Sequence, residues 1–115
     1  PYYLYTIVGY VFTTTDKSYG GEIEVMVGIN TDGTVNAVEI LAISDTPGLG
    51  MNAKNATFLD QFIGKIKDIG VNKNDPAENE IKALTGATIT SSAVTRAVNT
   101  ALNEFAAVTG GADNG

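Results

Sequence analysis

The sequence predicts an α+β domain, a mainly antiparallel sheet with helices packed on it. Three observations carry that expectation. Ile23, Val25, Val27 and Ile29 alternate with Glu22, Glu24, Met26 and Gly28, which is the period of a half-buried strand. Asn30-Thr31-Asp32-Gly33 follows, and Asp-Gly tolerates the positive φ that a hairpin turn requires. Near the other end, Val94, Ala97, Val98, Ala101, Leu102, Phe105 and Val108 recur at helical spacing.

The elements are expected in this order. Leu4 to Thr15 is rich in β-branched and aromatic residues and reads as a strand, with a turn at Ser18-Tyr19-Gly20-Gly21. Ile23–Ile29 and Val35–Ala42 form an antiparallel hairpin, Val35, Ala37, Glu39 and Leu41 lying on one face and Val38, Ile40 and Ala42 on the other. Ser44 to Gly50 holds one Pro and two Gly in seven residues and is a loop. A helix is expected near Asn55 to Ile63, capped by Asn52 or Asn55, packed through Phe58, Leu59, Phe62 and Ile63, and stopped by Gly64. Lys65 to Val71 is ambiguous, with a short strand as one reading. Asn72 to Asn79 is a polar surface loop, and Ile81 to Leu84 is a second short strand. The C-terminal helix takes its N-cap from Thr90, Ser91 or Ser92, carries Thr95, Arg96, Asn99, Asn103 and Glu104 on its polar face, and ends at Gly110-Gly111.

Length and composition bound the function. A chain of 115 residues suits one domain, 1–115, around one core. It contains no Cys and no His. That excludes disulfides, zinc fingers, thiol catalysis, cysteine-ligated clusters, imidazole metal sites and a Ser-His-Asp triad. The net charge of -6 argues against nucleic acid as a partner. No apolar run reaches the ~20 residues of a spanning helix. The chain opens directly on Pro1-Tyr2-Tyr3-Leu4-Tyr5, so the expectation is a domain excised from a longer protein, which leaves a membrane anchor upstream open.

Two segments are candidates for chemistry. Thr85-Gly86-Ala87-Thr88-Ile89-Thr90-Ser91-Ser92 holds five hydroxyls and runs straight into the last helix. A helix start favours a bound anion, phosphate above all. Gly86 and Ala87 permit close approach to the backbone, and the hydroxyls of Thr88 and Thr90 can bond a phosphate or be esterified by one. An over-supplied helix cap explains the same residues. The second segment, Thr46-Pro47-Gly48-Leu49-Gly50, presents an apolar Leu49 between glycines, a lip for a planar ligand or a turn closing the core. Glu22 with Glu24, and Glu78 with Glu80, read as solvated surface charge.

The ordered set Gly20-Gly21-Glu22-Ile23, Ser44-Asp45-Thr46-Pro47-Gly48-Leu49-Gly50, Phe58-Leu59-Asp60-Gln61-Phe62 and Leu84-Thr85-Gly86-Ala87-Thr88-Ile89-Thr90-Ser91 resembles the FMN-binding domain family. Within it, the chain looks most like the G subunits of Rnf electron-transport complexes, relatives of the C subunits of sodium-translocating NADH:quinone oxidoreductases. The resemblance spans roughly Tyr19 to Ala107. It implies a covalent flavin. A dedicated flavin transferase joins the FMN phosphate to the last Thr of a (Ser/Thr)-Gly-Ala-Thr signature by a phosphodiester bond, and that residue here is Thr88, with Thr85, Gly86 and Ala87 completing the signature. It also implies that Thr46 to Gly50 lie near the isoalloxazine. The implied protein is an electron carrier rather than a complete enzyme. It is anchored in the cell membrane with this domain on the extracytoplasmic face, among the other subunits of an ion-pumping complex. This chain has Lys82 where the family usually has Asp, three residues before the signature, and Asp45 where it usually has Glu. Two alternatives stay open: a module that binds FMN or a phospho-ligand without a covalent bond, and the FMN domain of an extracellular flavin reductase or a regulatory membrane protein.

Overall fold

A computed structural model describes residues 9–18, 21–43 and 56–110. Strands β1 (Gly9–Ser18), β2 (Gly21–Asn30) and β3 (Val35–Ile43) form an antiparallel sheet in the order β1-β2-β3. The hairpin expected between β2 and β3 is present. Gly33 takes φ +92° at its turn, where the Gly33 N–H donates to Asn30 O (2.9 Å). The first strand runs past its expected end, through Asp16, Lys17 and Ser18, all in register with β2.

The alternation on β2 holds: Ile23, Val25, Val27 and Ile29 are all buried. On β3 the simple two-residue period fails. Ile29 pairs with Val35 while Gly28 pairs with Ala37, leaving Asn36 as an extra residue, and Leu41 is extra between Ile40 and Ala42. These two bulges place Val35, Val38, Ile40 and Ile43 opposite the four buried residues of β2. Leu41 and Ala37 face outward as a result.

Helix α1 (Ala56–Leu59) is a single turn, continued by a 3-10 turn at Asp60–Phe62. Among the described residues this helical stretch ends at Phe62, one residue before the end of the helix expected over 55–63. Ile63 is already extended (ψ 129°) and Gly64 sits at φ +86°, so the chain leaves the helix one residue before the glycine. Phe58, Leu59 and Phe62 are buried as expected, and Ile63 is half exposed. The expected caps, Asn52 and Asn55, lie outside the described residues.

The ambiguous stretch contributes a strand only at β4 (Gly70–Asn72), which pairs with β5 (Glu80–Lys82). This pair is parallel and forms a small second sheet beside the antiparallel one. Parallel neighbours ordinarily need a long crossover. Three-residue strands shorten that return enough for residues 73–79 to make it.

Helix α2 (Thr88–Val108) lies across β1 and β2. Val94, Ala97, Val98, Ala101 and Leu102 are buried in the core with Ile23, Val25, Val27, Ile29 and Phe62. Tyr10 of β1 meets Phe105 edge-on, with ring centroids 5.4 Å apart. Thr14 Oγ1 donates to Ala97 O (2.8 Å), a polar contact inside the interface. Arg96 reaches over the rim: its Nη2 donates to Lys17 O (2.8 Å) and its Nε lies 3.1 Å from Asp16 Oδ1. Thr95, expected on the polar face, is buried, and its hydroxyl donates to Ser91 O (2.8 Å). Returning its proton to the helix backbone lets a Thr sit in an apolar interface.

Candidate functional site

The hydroxyl-rich segment forms a tight loop between β5 and α2. Gly86 takes φ +75°, a conformation that suits glycine. It turns the chain so that the Ala87 N–H donates to Leu84 O (3.0 Å). Thr85 and Gly86 are exposed at the tip. Thr88 is the first residue of α2 and half-buried. The Ser91 N–H donates to Ala87 O (2.9 Å). The N–H groups of Thr88 and Ile89 belong to the first turn, ahead of that bond, at the positive end of a 21-residue helix.

The N-cap differs from the expectation. The helix begins two residues before Thr90, and the cap position is Ala87, whose side chain has no hydroxyl to cap with. Ser91 acts from inside the helix instead. Its Oγ accepts from the Leu84 N–H (2.9 Å) and donates to Ala87 O (2.8 Å), and the residue is fully buried. One side chain therefore closes the loop across its base. Thr90, a candidate ligand residue, is buried toward β1, where the Ser18 hydroxyl lies 3.3 Å from its own. Thr85, Gly86, Ala87 and Thr88 are thus brought together at the loop and helix start, and Thr90 points away from them into the scaffold. Thr46, Pro47, Gly48 and Leu49 lie outside the described residues, as does Asp45.

Beside the loop runs an open groove of about 590 Å³, lined by Thr57, Phe58, Gln61, Lys82, Leu84 and Thr85 among others. Its described lining contains one cation, Lys82, and no acid. Hydroxyl and ammonium groups share it with apolar Phe58 and Leu84, while the Gln61 amide is engaged with the backbone carbonyls of Lys82 and Phe58. That mixture suits a ligand with a phosphate, a polyol chain and an aromatic ring system, such as FMN. Glu78 and Glu80 take no part. Glu78 is exposed, and Glu80 Oε1 accepts from the Ala77 N–H (2.8 Å) in the loop before β5. Among the described residues, no group of acids could hold a metal ion, and no helix is long and apolar enough to cross a membrane.

Sequence reading misses two residues. Ser91 reads as one of several possible caps, and nothing in periodicity marks it as the clasp of the loop. Gln61 stands within Phe58-Leu59-Asp60-Gln61-Phe62 without a role. In the structure its side-chain amide pairs with the backbone of Lys82, 21 residues away. A contact of that range leaves no local signature.

The FMN-binding domain family matches residues 18–103. The chain is 42% identical over 105 residues to the G subunit of the proton-translocating ferredoxin:NAD(+) oxidoreductase complex of Clostridium ljungdahlii, covering 90% of this chain and 57% of that protein. It is 41% identical over 104 residues to the G subunit of the Na(+)-translocating ferredoxin:NAD(+) oxidoreductase complex of Acetobacterium woodii, covering 86% of this chain and 50% of that one. The fold is similar to that of the C subunit of the Na(+)-translocating NADH-quinone reductase from Parabacteroides distasonis, with a TM-score of 0.70 at 20% identity over 82% of this chain and 53% of that one. The chain spans about half the length of the curated relatives it matches.

Proposed function

The chain belongs to the FMN-binding domain family, with FMN as its cofactor, and from that premise we propose that it is the flavin-carrying domain of a G-type subunit in an Rnf ion-translocating oxidoreductase. The observation that carries this reading is the loop itself: a Thr-Gly-Ala-Thr sequence turned on Gly86, with its last Thr at the start of a long helix beside a groove without acids in its described lining. The high identity to two G subunits over most of the chain supports the assignment to that branch.

FMN, when bound, supplies one- and two-electron transfer that a chain without Cys or His cannot provide from its own side chains. The residues of the chain hold and orient it. Thr88 is the attachment point. Its hydroxyl oxygen would form the phosphoester bond to the flavin-bearing phosphorus of a flavin dinucleotide, giving its proton to a base of the transferase as a nucleoside monophosphate leaves. A pyrophosphate-linked donor is required because free FMN offers only hydroxide as leaving group. The resulting phosphodiester retains one negative charge, which the first-turn amides of α2 and the Lys82 ammonium favour. Thr85 and Gly86 leave the phosphate side of the loop open. Thr46, Pro47, Gly48 and Leu49 complete the flavin surroundings. The partners are the other subunits of the complex and, during maturation, a flavin transferase. The domain works at the cell membrane, on its extracytoplasmic face, held there by an anchor outside this sequence.

Lys82 favours a second reading, a site that holds FMN by charge and hydrogen bonds alone, because a cation in the groove attracts a phosphate without covalent chemistry. One experiment separates the two. After co-expression with the transferase, the protein is denatured in detergent and run on a gel viewed under ultraviolet light. Covalent attachment leaves a fluorescent band. Flavin that runs with the dye front supports the non-covalent reading and overturns the first.

A further inference from the structure

We propose that Gln61 is a positioning residue for the attachment loop, acting through the backbone of Lys82. The inference rests on the covalent reading above. The Ala83 N–H donates to Asn72 O (2.9 Å), so β5 turns the polar groups of Ala83 toward β4 and those of Lys82 toward the opposite edge. At that edge stands Gln61 of the 3-10 turn. Its Oε1 accepts from the Lys82 N–H (2.8 Å), and its Nε2 donates to Lys82 O (3.1 Å) and Phe58 O (3.3 Å). A single side chain thus supplies the donor and acceptor that a neighbouring strand would supply.

The consequence lies six residues downstream. The segment from Lys82 to Thr88 is held at its exit by Ser91, which bonds both Leu84 and Ala87. Gln61 holds its entrance. Its backbone neighbour Phe62 is fully buried in the core, so the amide is mounted on a fixed base. Gln61 also lines the groove beside Thr85. Its pairing therefore fixes one wall of the groove relative to the loop that presents Thr88. A misplacement of ~1 Å can reduce a reaction rate by up to ~100-fold, and the hydroxyl of Thr88 must reach the donor phosphorus in the transferase.

The test compares Gln61→Met with Asn99→Met. Asn99 makes the same kind of pair, to the N–H (2.9 Å) and C=O (3.0 Å) of Ile69, but away from the loop. Attachment is followed by mass spectrometry with purified transferase and flavin dinucleotide, at a temperature where melting curves show each variant fully folded. The expected result is a roughly tenfold lower kcat for Gln61→Met, with the KM for the flavin dinucleotide unchanged, and a wild-type kcat for Asn99→Met. Equal rates for Gln61→Met and wild type, or equal losses in both variants, overturn the inference while leaving the covalent reading intact. Should wild type itself accept no flavin, that reading fails, and amide exchange in the unloaded protein decides the positioning role. Lys82 N–H must lose protection in Gln61→Met; unchanged protection contradicts the proposal.

Discussion

The sheet with α2 and the segment from Asp60 to Ala87 share one apolar core but are shaped by different interactions. In the first, apolar side chains at regular spacing meet across an interface: Ile23, Val25, Val27 and Ile29 from β2 against Val94, Ala97, Val98 and Ala101 from α2. In the second, regular structure is reduced to one 3-10 turn and two three-residue strands. Side-chain amides replace the missing ladders there. Gln61 pairs with Lys82, and Asn99 with Ile69. Asn79 Oδ1 accepts from the Ile66 N–H (3.2 Å), while its Nδ2 reaches Ile66 O (3.1 Å), Lys67 O (3.3 Å) and Asp68 O (3.3 Å). The difference teaches where specificity lies. Burial builds a firm platform, and polar pairs made by single residues shape the loop proposed to carry the cofactor.

The largest expected effect separates function from platform. Thr88→Ala abolishes covalent flavin, measured by protein-bound fluorescence after denaturation, and leaves the melting temperature near wild type because Thr88 is only half-buried. A Thr88→Ala protein that still carries covalent flavin breaks the comparison at its root.

Phe62→Ala tests the anchor by which the second segment enters the core of the platform. The side chain is fully buried and packs edge-on to Phe58 at 5.7 Å. Its loss costs about 3–5 kcal/mol, read from denaturant unfolding. A much smaller cost would mean that the core beneath the 3-10 turn collapses to fill the space.

Ser91→Ala lies at the junction of the two regions. It leaves the Leu84 N–H without its partner and removes a donor from Ala87 O. The expected destabilisation is about 1–3 kcal/mol, accompanied by slower attachment. Loss of stability at an unchanged attachment rate would show that the clasp serves the fold alone. Thr90→Ala sharpens the contrast from the other side. Its hydroxyl faces β1, so attachment is expected to remain largely intact.

The smallest effect concerns the hairpin. Hydrogen bonds from the Thr34 hydroxyl and backbone N–H hold the Asp32 carboxyl below its ordinary value of 3.8. A lowered folded-state pKa stabilises above the unfolded value and is lost as pH falls through the folded one. Asp32→Ala is therefore slightly less stable than wild type at neutral pH, and the gap closes below about pH 4. Unfolding midpoints measured across that range check the sign. Attachment at Thr88, outside the hairpin, is expected to stay unchanged.

Legibility in the sequence follows the same division. Strand β2, its hairpin with β3 and helix α2 announce themselves by period, because burial on one face repeats every two or 3.6 residues. The bulges at Asn36 and Leu41 do not, since an extra residue shifts phase without changing composition. The parallel pairing of β4 with β5 escapes for a related reason: three residues are too few to show a period. At the site, Thr85, Gly86, Ala87 and Thr88 are legible as a contiguous signature. Ser91 is visible only as a spare hydroxyl, and its position inside the helix cannot be read without knowing that α2 starts at Thr88. Gln61 acts across 21 residues and is recognisable only as part of a motif without a role.

Thr88 carries the proposed attachment, and peptide mapping tests it most directly. The protein is co-expressed with its flavin transferase, digested with trypsin and analysed by tandem mass spectrometry. The prediction is FMN, less one water, on the Thr88 hydroxyl of the peptide running from Ala83 to Arg96. Unmodified Thr88 in a transferase-treated sample, or flavin mapped to Thr85 or Thr90 instead, would contradict it.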